Sequence, residues 1–177
     1  KAAAKALEFE KAAVLRDQGH TVVPPRSAHA VTVPGAIDAF CTMSEKWGRL
    51  GLTDSLAPAI RYMQDGVPVA DRVAFDWANH TGGLQGHGVP HYTKSGQPYR
   101  RGDIFALPGN AEVLKRIASQ GRDAFYTGEV AEDMLAALVD AGGVHTAEAF
   151  AATQTTSGAP ISGHYKELEL LEHPPNG

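Results

Sequence analysis

Two histidines four residues apart, His87 and His91, have the spacing of a metal-binding pair. Histidines at this spacing bind zinc when a rigid helix holds both side chains and a third ligand completes the site. Gly86, Gly88 and Pro90 surround the pair, and these residue types disfavour a helix. We therefore interpret the two histidines as part of a solvated loop, and we predict no metal site in this chain.

The thiol and the carboxylates do not form a recognisable catalytic set. Cys41 is the only cysteine, so an intrachain disulfide is impossible, and its apolar neighbours predict a buried, inert thiol. Asp71, Asp76 and Asp103 have no partner that the sequence alone can place. The sequence therefore predicts no catalytic residue and no cofactor.

Composition and charge exclude some classes of partner. Apolar residues make up 43% of the 177 residues and charged residues 20%, which is ordinary for a globular protein with a core. The net charge of −4, without a cluster of Lys and Arg, argues against nucleic acid as a partner. No apolar run reaches the roughly 20 residues of a membrane span. The first residues lack a signal-peptide pattern, which slightly favours a cytoplasmic over a periplasmic protein.

Helices must position any functional residue, because helix-forming patterns and glycine stops dominate the chain. These patterns predict helices over residues 2–18, 34–48, 54–65, 69–79, 110–121, 127–142 and 146–152. The glycine-rich residues 81–90 are predicted to form an exposed, mobile loop, and residues 92–98 a short hairpin. Residues 161–171 are the only convincing extended segment. The predicted fold class is mostly α with a short C-terminal β segment.

Particular residues indicate how two of these helices are built. Ile37, Phe40, Met43 and Trp47 recur at steps of three and four residues, so they are predicted to form one buried face of the second helix.

Polar residues mark helix starts. Thr53 or Asp54 is the predicted cap of the third helix, which places Pro58 in its first turn. Asn110 and Thr146 are the predicted caps of two later helices.

A series of short motifs then connects the chain to a known family. The motifs occupy residues 15–21, 30–38, 47–50, 56–61, 66–69, 118–126, 128–132, 142–146 and 160–165, followed by the terminal residues 174–177. In this order they resemble the middle of a gamma-glutamyltranspeptidase, of the gamma-glutamyltranspeptidase-like branch. The resemblance covers nearly the whole chain, from about residue 15 to residue 177. It implies that residues 1–177 are a single partial domain, the helical portion of the large subunit.

The resemblance also implies a fold and an activity. The fold is that of the N-terminal-nucleophile hydrolases, a four-layer αββα sandwich made when a precursor cleaves itself into two subunits. The new N-terminal threonine attacks a gamma-glutamyl or similar amide, with its own α-amine as the base. In the family this threonine follows the segment that residues 174–177 resemble. The catalytic threonine is therefore expected outside this chain, on a small subunit from the same precursor.

The expected substrates are small gamma-glutamyl compounds such as glutathione. A related amidohydrolase, of the oxamate or acylase type, is an alternative within the same class. A non-catalytic helical binding module is an alternative of a different class. By itself the chain is expected to be inactive and to expose an apolar face built for a sheet that it lacks.

Two sites inside the chain also resemble functional positions of the family. The pair Thr155 and Thr156 resembles the self-cleavage site, but the residues after it predict a turn, whereas the family nucleophile begins an apolar strand. We interpret the pair as a polar loop. Arg26 lies upstream of Val33, Pro34 and Gly35, as does the arginine with which the family grips the substrate α-carboxylate. Its position implies a carboxylate ligand, and a surface charge is the alternative.

Overall fold

The computed structural model describes residues 2–174, and the helices account for most of that chain. The helices are α1 (Ala2–Asp17), α2 (Ala36–Trp47), α3 (Gly51–Asp65), α4 (Asp71–His80), α5 (Gly88–Tyr92), α6 (Pro108–Gln120), α7 (Asp123–Tyr126), α8 (Gly128–Asp140) and α9 (Ala147–Ala151). The strands are β1 (Val67–Pro68), β2 (Ile104–Phe105), β3 (Ile161–Tyr165) and β4 (Leu168–Glu172). Single 3₁₀ turns lie at Ala28–Ala30 and Thr81–Gly83. The predicted fold class, mostly α with a C-terminal β segment, is confirmed.

Glycine stops and a threonine cap act where the sequence places them. Gly121 ends α6 with a φ of 73°, a left-handed conformation that costs glycine little. Gly66 ends α3 with a φ of 84°, and a Cβ there would lie 2.5 Å from a methyl carbon of Ile104 on β2. The Thr146 hydroxyl accepts a hydrogen bond from the Ala149 amide at the start of α9.

Two predicted helix starts are wrong by two or three residues. Helix α3 begins at Gly51, so Pro58 lies in its interior, and the Thr53 hydroxyl donates to the Ala118 carbonyl instead of capping. Helix α6 begins at Pro108 and not after Asn110. Proline has the φ that a first helical position needs and lacks only an N–H that would go unused there. The ring of Pro108 therefore starts α6 earlier than a polar cap would.

The core lies where α6, α7, α8 and α9 meet, with α3 packed along α6. Its buried side chains come from these four consecutive helices: Ala111, Ile117, Tyr126, Ala131, Ala149 and Phe150. Tyr126 and Phe150 are the largest of them and are 1% and 0% exposed. Burying a large aromatic side chain removes on the order of 200 Å² from water, so these two residues anchor the bundle.

The apolar face of helix α2 is exposed, whereas the sequence predicts that it is buried. Phe40, Met43 and Trp47 are 52%, 46% and 71% exposed, and only Ile37 of the predicted stripe is partly covered. The buried residue of α2 is the carboxylate Asp38. Periodicity identifies an apolar face correctly, but what covers that face depends on its neighbours. The predicted burial of this stripe is therefore wrong for Phe40, Met43 and Trp47.

Residues 81–105 correct the prediction of an open loop. A 3₁₀ turn and helix α5 occupy this region, and the expected hairpin is reduced to one bridge between Lys94 and Gln97. The Trp77 indole N–H donates to the Tyr92 carbonyl at 2.8 Å, and the Trp77 ring packs edge-on against Phe105 at 4.7 Å. Strand β1 pairs antiparallel with β2, which the sequence did not predict. Aromatic packing from outside the segment therefore orders it.

The C-terminal β segment is an antiparallel hairpin. Strand β3 pairs with β4 over five residues, from Ile161 opposite Glu172 to Tyr165 opposite Leu168. Every residue of both strands is exposed. Among residues 2–174, no helix is long and apolar enough to cross a membrane.

Candidate functional site

The side chain of Asp38 is the centre of a buried polar cluster. Asp38 is the third residue of α2 and is 5% exposed. One carboxylate oxygen accepts a hydrogen bond from Arg122 Nε at 2.6 Å. The other accepts from the backbone N–H of Thr155 at 2.5 Å. One carboxylate therefore joins three segments that are far apart in sequence.

Arg122 completes the cluster because its guanidinium has donors in several directions. Nη2 donates to the carbonyl oxygens of Ala151 at 2.7 Å and Thr153 at 2.5 Å, and Nη1 donates to the Asp123 carboxylate at 2.8 Å. The guanidinium carbon lies 4.8 Å from the centre of the Tyr126 ring, within cation–π range. Arg122 follows the Gly121 stop, and this turn aims its side chain back toward α2.

The Tyr126 hydroxyl also belongs to this cluster, and it contacts the start of α2. It donates to the Pro34 carbonyl at 2.6 Å and accepts from the Asp38 N–H at 3.2 Å. Gly35, at the cap position of α2, has no side chain to satisfy this N–H, so the tyrosine hydroxyl serves as the cap. Helix α7 thereby fixes where α2 begins.

Burial and hydrogen bonding act in opposite directions on these groups. Burial opposes ionisation of Asp38, but hydrogen bonds from Thr155 and Arg122 outweigh it, and the pKa of this carboxyl lies below its ordinary value. Burial raises the pKa of the Tyr126 hydroxyl, so the hydroxyl keeps its proton. Burial and the Asp38 charge also raise the pKa of the Cys41 thiol, which disfavours a reactive thiolate. The cluster binds through fixed charges and contains no poised base.

Arg26, the candidate carboxylate ligand, lies outside this cluster. Its side chain is exposed, its φ is 60°, and its guanidinium lies so close to Gly83 that a Cβ there would be 3.2 Å from the guanidinium carbon. A positive φ is uncommon for a residue with a side chain. The role of Arg26 as a ligand of the substrate carboxylate stays a prediction.

The threonine pair lies in the irregular stretch between α9 and β3. The Thr155 amide is bound to Asp38, whereas Thr156 is exposed and precedes β3 by five residues. Neither threonine begins a strand, since β3 starts at Ile161. The structure therefore gives Thr155 a structural contact through its backbone.

The histidine pair has a different local structure from the one predicted. His91 lies in helix α5 and His87 precedes its first residue, so the prediction that Gly88 and Pro90 exclude a helix is wrong. Pro90 is the third residue of this short helix, where no intrahelical N–H is needed. Among residues 2–174, no three His, Cys, Asp or Glu side chains are grouped to hold a metal ion.

The three aspartates without a predicted partner all form ion pairs. Asp71 pairs with Arg101 at 3.1 Å, Asp76 with Arg72 at 2.8 Å and Asp103 with Lys94 at 2.5 Å. These pairs are mostly exposed, and exposed pairs contribute little to stability.

A second buried polar side chain, that of His145, contacts the segment that connects α1 to α2. His145 is 4% exposed, and its Nε2 lies 2.9 Å from the Val31 carbonyl, which can only accept, so the neutral ring donates there. Its Nδ1 is buried without a hydrogen-bond partner in the described part of the chain. Burial lowers the pKa of this imidazole, and the nearby charges of Lys11 and His29 lower it further.

An apolar cavity lies beside the core, between α6 and α8. Its volume is ≈ 710 Å³, and its lining residues are Ile37, Met63, Asn110, Val113, Leu114, Arg116, Ile117, Phe125, Glu129, Val130, Asp133 and Met134. Two of the lining residues, Arg116 and Glu129, form an ion pair at 2.6 Å. The lining contains no Ser, Thr, Cys or His side chain, so the cavity can bind apolar groups and offers no hydroxyl, thiol or imidazole nucleophile.

Sequence reasoning missed Asp38 and Arg122. The available signal was local: Asp38 is a lone carboxylate in the apolar stretch 33–41, and Arg122 directly follows a helix-ending glycine. Nothing in the spacing shows that residues 84 positions apart meet.

Comparison with known proteins identifies relatives of this chain. The gamma-glutamyltranspeptidase family model matches residues 2–177. The chain is 32% identical to the glutathione hydrolase-like YwrD proenzyme of Bacillus subtilis, over 92% of the chain and 32% of the relative. It is 31% identical to the glutathione hydrolase proenzyme of Escherichia coli, over 91% of the chain and 29% of the relative.

A solved structure agrees with these matches. The cephalosporin acylase of Bacillus halodurans superimposes with a TM-score of 0.85 and 31% identity, over 93% of this chain and 32% of the acylase chain. The chain thus spans about a third of the length of the relatives it matches, and its fold is the helical portion of an N-terminal-nucleophile hydrolase fold. The match extends over nearly every residue, and on that ground the chain belongs to the gamma-glutamyltranspeptidase family.

Proposed function

We propose that this chain is part of the large subunit of a self-processing amidohydrolase that acts on gamma-glutamyl compounds such as glutathione. The observation that supports this proposal is the family match over residues 2–177, together with relatives that are named as proenzymes and are about three times longer than this chain. In this proposal residues 1–177 are a single partial domain. The nucleophilic threonine lies outside the chain, on a small subunit from the same precursor, and the chain forms one helical layer beside the sheet.

The cephalosporin acylase match favours a second substrate class. An acylase removes an acyl side chain from an amide, which is the same bond cleavage with a different acyl group. The likeness to this acylase is as great as the likeness to the two glutathione hydrolases. The leading substrate remains a gamma-glutamyl amide, and an acyl amide without the α-amino group is the alternative.

Expression of the complete reading frame that contains this chain tests the proposal. The expected result is two polypeptides, with a threonine at the new N-terminus, and hydrolysis of gamma-glutamyl-p-nitroanilide. Faster hydrolysis of glutaryl-p-nitroanilide, which lacks the α-amino group, would favour the acylase alternative. An uncleaved, inactive product would overturn the proposal and favour a non-catalytic binding module. Cleavage between Thr155 and Thr156, read by mass spectrometry, would instead place the nucleophile inside this chain.

Arg26 is proposed as a ligand of the substrate α-carboxylate, which a guanidinium binds through two parallel hydrogen bonds. In the processed enzyme, Arg26→Ala is expected to raise KM about tenfold or more for gamma-glutamyl-p-nitroanilide, with a smaller effect on kcat. Arg101→Ala, at an exposed arginine on a turn, is the matched control. An unchanged KM in Arg26→Ala would leave Arg26 as a surface charge.

A further inference from the structure

The chain leaves α9 along a course that has little regular structure of its own. Residues 153–160 form neither helix nor strand, and they lead into a hairpin whose residues are all exposed. Three hydrogen bonds from the buried cluster hold the end of α9 and the start of this stretch: Arg122 binds the Ala151 and Thr153 carbonyls, and Asp38 binds the Thr155 N–H. The contacts fall on alternate residues, so they fix both the position and the direction of the backbone.

We propose that Asp38 and Arg122 are positioning residues, which together act as a clamp that sets the path of residues 151–155 and hence the placement of the β3–β4 hairpin. Each has a separate task within the clamp. Asp38 uses one oxygen to orient Arg122 and the other to hold Thr155. Arg122 uses one nitrogen to bring two carbonyl oxygens together.

The chemistry of the two side chains makes both necessary. Asparagine has one carbonyl oxygen, so in Asp38→Asn either Arg122 or Thr155 faces an amide group that donates instead of accepting. Lysine is a single ammonium and cannot reproduce the planar fork, so in Arg122→Lys the Asp38 contact and the two carbonyl contacts compete for one nitrogen. Conservative replacements therefore loosen residues 151–155 while leaving the surrounding apolar core in place.

The hairpin depends on this clamp because it has few other constraints. A two-stranded hairpin is only marginally stable by itself. All ten strand residues of β3 and β4 are exposed, so packing does not fix their direction. The consequence for activity rests on the proposed function: if a nucleophile follows the hairpin in the precursor, the clamp sets the starting point of the segment that carries it.

Nuclear magnetic resonance of the 177-residue chain tests the clamp without the need for an enzymatic assay. The Thr155 amide proton is expected far downfield, because it is bonded to a carboxylate, and its shift should follow protonation of Asp38 in acid. The charged and titratable groups around Asp38 are Arg122, which directly precedes α7, Tyr126 from α7 and Cys41 from α2, and the Asp123 carboxylate binds the same guanidinium. The pKa values of Tyr126 and Cys41 are raised, so neither group ionises in acid, and a transition of the Thr155 amide below neutral pH that persists in Asp123→Asn reports Asp38. Asp38→Asn should abolish both the downfield shift and its pH dependence.

Amide exchange measures how local the effect is. Arg122→Lys and Asp38→Asn are expected to speed exchange at Thr155 about tenfold or more, with less than a twofold change in α6. Arg72→Lys and Asp76→Asn make the same substitutions in an exposed pair on α4 and should leave Thr155 unchanged. Unchanged exchange at Thr155 in both clamp variants, or an equal increase throughout the chain, would overturn the proposal.

Self-cleavage of the precursor tests whether the clamp affects activity, and it distinguishes the clamp proposal from the proposed function. The expected result is self-cleavage at the wild-type rate in Arg72→Lys and at least about tenfold slower in Arg122→Lys. If even the wild-type precursor fails to cleave, the proposed function is wrong, and the exchange experiment still decides the clamp. If Arg122→Lys loosens Thr155 but cleaves normally, the clamp holds the hairpin without positioning a nucleophile, and the link to activity is refuted.

Discussion

The hydroxyl of Tyr126 is the most informative atom to remove. Tyr126→Phe keeps the buried ring and deletes only the group that donates to the Pro34 carbonyl and accepts from the Asp38 N–H. The Asp38 N–H is then buried at the start of α2 without a partner, which costs about 1–3 kcal/mol. Pro34 is exposed, so its carbonyl can turn to water, and its lost hydrogen bond adds about 0.5–1 kcal/mol.

The expected destabilisation is therefore about 1.5–4 kcal/mol, which lowers Tm by about 3–16 °C in a chain of this length. Urea unfolding followed by circular dichroism at 222 nm measures the change in the free energy of unfolding. Tyr62→Phe is the matched control, because the Tyr62 side chain is 52% exposed. A change below about 0.5 kcal/mol in Tyr126→Phe, equal to the control, would refute the argument that this hydroxyl caps α2.

Three further predictions concern the buried histidine, the core and the exposed stripe. The folded-state pKa of His145 lies below the unfolded value of about 6.5. The free energy of unfolding should therefore fall as the pH drops below about 6.5, by at most about 1.4 kcal/mol per pH unit. Urea unfolding at a series of pH values should show this slope in the wild type and a shallower slope in His145→Gln. Phe150→Ala should cost about 3–5 kcal/mol by the same assay and Phe75→Ala, at an exposed ring, less than about 1; equal losses would contradict the assigned core. Replacing Phe40 and Trp47 by serine should reduce binding of an apolar dye with little loss of stability, and undiminished dye binding would show that the stripe is not the exposed surface.

Local structure was predictable wherever the determining interactions are local. Gly121 ends a helix because it accepts a left-handed φ, and Thr146 begins one because its hydroxyl binds an amide three residues on; both facts are readable from residue type and position. The family resemblance likewise came from motifs that are each contiguous in sequence. The early start of α6 was missed because a proline and an asparagine both mark helix starts, and only their competition in the folded chain decides between them.

Contacts between distant segments could not be predicted in this way. The sequence by itself determined that α2 is a helix with an apolar stripe, because a period of three to four residues is a property of the chain. Only the tertiary structure decided that this stripe is exposed and that Asp38 is buried, because burial depends on which elements pack against a face. The meeting of Asp38, Arg122 and Thr155 is of the same kind: complementary charge makes the contacts favourable, but only the folded arrangement of α2, α7 and α9 brings the groups within hydrogen-bonding distance.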